Sequence, residues 1–263
     1  MLRNINKSAL IAAAAVTTIT SMSFAAPAGW DAFVIRNAAT VINEPATGSS
    51  DPDSVEFIID VGGKKAALGT SLIDGTTIGN IGTLKITRSD GNTAGGSAYA
   101  PYMNFWITDG AGHYAVIANE PSNPEWEDSS EHDTTGAELA TKSIKLFEYH
   151  PDFILPVGTT RDSGSGALNK TFADFSNYVI AAPSAAYMTG GNGTGAGAPD
   201  ELSTNQTYGF NWVFGDLQGN YNSGNPGYIV SDPIATVVPE PAAVALIAIG
   251  GAALLLRRRR RMA

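Results

Sequence analysis

The chain has 263 residues, 25 of them acidic against 16 basic, with three histidines and no cysteine. Its acidic balance repels the phosphates of nucleic acid and anionic lipid, and without cysteine the fold must hold on core packing, with no disulfide framework. The length suits one domain with a substantial core and is short for two.

At the N-terminus Arg3 and Lys7 form a short positive region, and residues 9–19 follow as an uncharged, Ala-rich stretch. Ser23-Phe24-Ala25 then places small residues at the two positions a signal peptidase reads. The order of charge, apolar run and small residues predicts a signal peptide over residues 1–25, cleaved after Ala25, with Ala28 as a second candidate. Signal peptidase is therefore an expected partner.

Between residues 26 and 237 the apolar residues come in short runs separated by Gly, Asn, Asp and Pro, which is the spacing of strands and turns. Strands are predicted over 33–42, 55–61, 84–87, 102–108, 114–118, 144–149, 178–181, 208–214, 228–230 and 234–238. In several of them a polar residue alternates with apolar ones, as Lys85 does between Leu84 and Ile86, so that one face is buried and the other wet. Asp109-Gly110-Ala111-Gly112 reads as a hairpin turn, because glycine supplies the positive φ such turns need. One short helix is predicted over 134–141. The fold class that follows is all-β: an antiparallel sandwich resembling a jelly roll, flanked by the N-terminal signal helix and a C-terminal transmembrane helix.

The chemistry-bearing residues form no motif for catalysis. His113, His132 and His150 are scattered, and no spacing puts two of them on one helical face. Ser163-Gly164-Ser165-Gly166 lacks the upstream spacing of a nucleophile elbow, and the glycine-rich run 190–197 lacks the Lys-Ser/Thr of a phosphate loop. We therefore expect no enzyme and no resident organic cofactor.

Two features point to ligands. The acidic segment from Glu125 to Asp133 offers Glu127, Asp128 and Asp133, which with Asp51 and Asp53 supply the carboxylate oxygens that Ca²⁺ prefers. Trp126, lying among charges, is the tryptophan expected at the surface, and with Tyr99 and Tyr102 it is the candidate platform for a stacked sugar ring. Trp106 and Trp212 lie within strands and are expected in the core.

The tail, residues 238–263, has three parts. Pro239, Glu240 and Pro241 precede the uncharged run 242–256, and Arg257, Arg258, Arg259, Arg260 and Arg261 follow it. At about 1.5 Å rise per residue, such a helix spans somewhat less than the roughly 30 Å hydrocarbon core of a bilayer. The arginines stay cytoplasmic by the positive-inside rule, which places the domain outside. The two prolines forbid helix continuation and keep Glu240 on an extended segment.

This ordered tail resembles the PEP-CTERM sorting signal. The resemblance covers Pro239 to Arg261 and implies an exosortase-type processing enzyme as partner, transient insertion in the inner membrane, and final release or retention at the cell surface. It also implies a bacterium that makes exopolysaccharide. With 9 basic residues left between the two targeting segments, the exported part is strongly acidic. The expected function is that of an exported cell-surface or extracellular-matrix protein whose sandwich is structural or adhesive. The alternative is a carbohydrate-binding module using exposed aromatics.

Overall fold

The structure is a computed structural model that describes residues 26–36, 41–60, 62–90, 101–119, 131–160, 167–184, 187–188, 207–215 and 227–238. The predicted signal segment, residues 1–25, and the tail from Pro239 onward, with its predicted transmembrane helix, lie outside these residues. In chain order the strands are β1 (Asp31–Arg36), β2 (Val41–Asn43), β3 (Val55–Ile58), β4 (Lys65–Thr70), β5 (Ile81–Arg88), β6 (Tyr102–Thr108) and β7 (Tyr114–Ala118). Then come β8 (Glu131–Thr135), helix α1 (Gly136–Ala140), β9 (Ser143–Tyr149), β10 (Ala167–Thr171), β11 (Val179–Ile180), β12 (Phe210–Gly215) and β13 (Tyr228–Val237).

Every described pairing is antiparallel. The larger sheet runs β1-β4-β12-β6-β7-β9-β10, with β11 pairing the second half of β6, and the smaller runs β2-β3-β13-β5-β8. All-β architecture is thus what the turn-bounded runs build. The two sheets close on one core: Phe57 of β3 stacks on Phe214 of β12, ring centroids 4.3 Å apart and nearly parallel, and Phe214 also meets Tyr228 of β13.

In β4, β12 and most of β6 every residue is buried, so these strands are covered on both faces. Alternate residues Met103, Phe105 and Ile107 join the core between the sheets. On the outer face Phe33, Ile35, Ala67, Tyr102 and Val213 form one separate cluster, and Trp106, Val116 and Met188 another. The sequences of β6 and β12 are accordingly apolar along most of their length, since neither face is wet, whereas β4 opens on Lys65.

Some boundaries differ from the sequence expectation, each for a physical reason. The run 33–42 is divided between β1 and β2, which belong to different sheets. The runs 228–230 and 234–238 are one strand: β13 passes its Ser-Asp-Pro interruption through a register shift against β5, with Asp232 at φ 50°. Pro233 has no N–H to give the ladder, and a bulge is where a sheet tolerates it. Strands β8 and β10 are polar in sequence and lie at the sheet edges, where exposure removes the apolar signal. The helix predicted over 134–141 is the shorter α1: Thr134 and Thr135 end β8, and a capping box starts the helix, in which Glu138 N–H donates to Thr135 Oγ1 and the Glu138 carboxylate accepts from Thr135 N–H. Gly136 packs so tightly on the Ile81 carbonyl that a Cβ there would collide with it.

Candidate functional site

At one end of the larger sheet the β6–β7 hairpin turns through Asp109-Gly110-Ala111-Gly112, with Gly110 at φ 82° and Gly112 at φ 88°. The turn is tied to its own side chains. Asp109 Oδ1 accepts from Ala111 N–H at 2.8 Å, Thr108 Oγ1 accepts from Gly110 N–H at 3.1 Å, and Thr108 Oγ1 donates to the His113 carbonyl at 3.0 Å. The second oxygen of Asp109 lies 2.8 Å from His113 Nδ1, and only 3 % of the aspartate side chain is exposed. Burial alone would raise the Asp109 carboxyl, but hydrogen bonds from Ala111 and His113, the electrostatic attraction of the His113 side chain, and the Ile154 N–H together hold it below the ordinary aspartate value.

β7 pairs β9 antiparallel, Ala115 opposite Tyr149, so the residue before β7 meets the residue after β9. These are His113 and His150. Their rings stack with centroids 4.6 Å apart and planes 10° from parallel, and His150 N–H donates to the Tyr114 carbonyl at 3.1 Å. Asp152 N–H donates to His150 Nδ1 at 3.2 Å, and the Asp152 carboxylate is 3.8 Å from that nitrogen. One ligand atom from each of His113, His150 and Asp152 falls within 4.8 Å of the others.

Beside this cluster lies a groove of about 370 Å³, lined by Thr108, Asp109, Gly110, Ile154, Asn177, Tyr178 and Val179. Tyr178 spans it, its hydroxyl donating to the Ile154 carbonyl and its ring stacked on Phe153. Burial raises the Tyr178 hydroxyl, and the Asp109 charge adds to the effect. Ile154 and Val157 present apolar side chains to solvent at this end.

The residues singled out in the sequence are placed as follows. Asp51 and Asp53 share one turn before β3, where Asp51 Oδ1 accepts from Asp53 N–H at 3.0 Å. Asp133 sits on edge strand β8, ion-paired with Lys85 at 3.3 Å, while β13 and β5 separate β8 from β3. Glu127 and Asp128 lie outside the described residues. Tyr102 is 4 % exposed in the outer-face cluster, and Tyr99 and Trp126 lie outside the described residues. Trp106 and Trp212 are buried, as their strand positions suggest.

The His113–His150 neighbourhood was the feature that spacing along the chain did not reveal. A signal for it exists, since each histidine abuts an apolar run, one at its start and the other at its end. Pairing those two runs antiparallel brings the histidines together.

No curated protein and no solved structure matches the chain. Residues 237–261 match the family model of the PEP-CTERM protein-sorting motif. The match begins at Val237, the last residue of β13, so the motif starts where the folded sandwich stops. The chain therefore carries a PEP-CTERM sorting signal, which implies export and processing by an exosortase-type enzyme.

Proposed function

We propose that the protein is a surface or extracellular-matrix component whose sandwich has a structural or adhesive role beside exopolysaccharide, with no catalysis of its own. One observation carries this reading: the match to the sorting motif begins on the last residue of a central strand, so the whole described fold lies on the side that is delivered. Processing at the motif would then release an intact slab. The burial of both faces of β4 and β12 supports a rigid, load-transmitting unit, because interiors this closely packed have low compressibility. The chain crosses between the sheets repeatedly, from β1 to β2, from β3 to β4 and on to β5, which favours a jelly-roll-like connectivity. The tail run 242–256 acts as a transient inner-membrane helix in this account.

Deletion of the gene in its own host tests the role. Loss of cohesion between cells and their extracellular matrix, restored by the full chain, is the expected result. A deletion strain whose matrix retention equals that of the parent would contradict the reading.

A further inference from the structure

The two stacked histidines have chemistry that the structural reading does not use. We propose that His113, His150 and Asp152 bind a divalent first-row transition-metal cation of the Zn²⁺ or Cu²⁺ class, with Asp109 as the positioning residue.

Ligand type comes first. Two imidazoles and one carboxylate make a donor set suited to Zn²⁺, Cu²⁺ or Ni²⁺, whereas Ca²⁺ takes six to eight oxygens and finds too few here. This site is distinct from the all-carboxylate calcium set considered from the sequence, and shares no residue with it.

The second argument is the orientation of His113. Its Nδ1 faces the buried Asp109 carboxylate at 2.8 Å, and that carboxylate accepts a proton-bearing nitrogen. Nδ1 therefore carries the hydrogen, and Nε2 keeps its lone pair for a metal. A carboxylate behind a ligating histidine is the usual outer partner of such sites, because it fixes the tautomer and the ring orientation. Asp109 is itself fixed by the turn, through Ala111 N–H at 2.8 Å.

Distances come third. His150 Nδ1 and the Asp152 carboxylate are 3.8 Å apart, against the roughly 3.3 Å between two ligand atoms of a tetrahedral zinc site. Among the described residues the Asp152 amide donates to that nitrogen at 3.2 Å, a bond that the ion would replace. One ring nitrogen of each histidine and one Asp152 oxygen lie within 4.8 Å of one another, so closing on an ion requires the nearly parallel rings to tilt toward one another. The pairing of β7 with β9 holds the two histidines side by side at the strand ends, so the approach is one of side chains, with the Asp152 amide released from His150. Entry is open as well: the His113 and His150 side chains are 26 % and 29 % exposed and Asp152 is largely exposed.

The bound ion would join the β6–β7 turn to the segment after β9, stapling two strand ends of the larger sheet. Positions left over by three protein ligands would hold water or an outside donor.

The test uses the full chain in detergent, free of any histidine tag and stripped with EDTA. Titration with Zn²⁺ should show one equivalent bound and a rise in melting temperature, and Co²⁺ should give visible absorption of imidazole-ligated cobalt. His113→Asn and His150→Asn should each weaken Zn²⁺ binding at least tenfold. Asp109→Asn should weaken it by about 10- to 100-fold with the stoichiometry kept, as removal of an outer partner does. His132→Asn, on β8 of the other sheet, should bind as the parent does. The proposal is overturned if the parent chain takes up neither Zn²⁺ nor Cu²⁺ at high micromolar concentration. It is equally overturned if His113→Asn and His150→Asn, shown to be folded by circular dichroism, bind Zn²⁺ as the parent does.

Discussion

The Val238 amide donates to the carbonyl of Asn80 at 2.8 Å, closing the end of β13 onto the turn that leads into β5. Val238 is the residue immediately before Pro239. The last hydrogen bond of the described fold and the first residue of the Pro-Glu-Pro triplet are thus adjacent. Removal of everything from Pro239 onward should leave the melting temperature unchanged. Removal of 234–238 as well strips β5 of its partners Ile234, Ala235 and Val237 and should lower it by several degrees. Thermal denaturation of the two truncated chains separates these outcomes, and equal losses would show that the fold does not end where we place its end.

The stacked pair Phe57 and Phe214 joins the sheets at 4.3 Å, with neither ring exposed. Phe57→Ala or Phe214→Ala should each cost about 3–5 kcal/mol in denaturant unfolding, through lost transfer free energy and the cavity left behind. The double variant should cost less than the sum of the two, because the rings share one contact. Additive losses would mean that the sheets are held together elsewhere.

Glu56 is a buried carboxylate on β3. Burial pushes it up, but hydrogen bonds from Asn43, Thr47 and the Gly227 N–H outweigh burial and bring it below the ordinary value of 4.5. A group depressed in the folded state contributes stability above its unfolded value and loses it as pH falls through the folded value. Glu56 should therefore make stability decline as the pH drops below about 4.5, and Asp109, held low by its turn, should add to the decline. In Glu56→Gln the chain should be less stable at neutral pH, with a shallower slope of melting temperature against pH below 4.5. An unchanged slope would remove Glu56 from the account.

What could be read along the chain followed the strength of the apolar signal. β6 and β7 were predicted with the bounds they have, since Tyr102 to Thr108 and Tyr114 to Ala118 are apolar runs around a glycine turn. β4 was not, because Lys64-Lys65 and an alanine-glycine run look like a solvated loop, yet Lys65 is wholly buried in the sheet. The polar edge strands β8 and β10 were missed for lack of any core-facing pattern. The histidine pair was hidden by topology: between β7 and β9 the chain visits the smaller sheet through β8 and α1, and no local rule reports that it returns beside β7. The sorting tail, by contrast, was legible because its signal is an order of residues along the chain and needs no tertiary pairing.

Intact-mass spectrometry of the protein from its native host is the most direct measurement of the central claim, that a complete sandwich is delivered by a removable address. The account predicts a mature chain beginning near Ala26 and ending between Pro239 and Pro241, while a Glu240→Ala variant keeps Arg257 to Arg261 because the processing enzyme must read the triplet itself. Recovery of the parent chain with its arginines intact, in a host that possesses the processing enzyme, would contradict it.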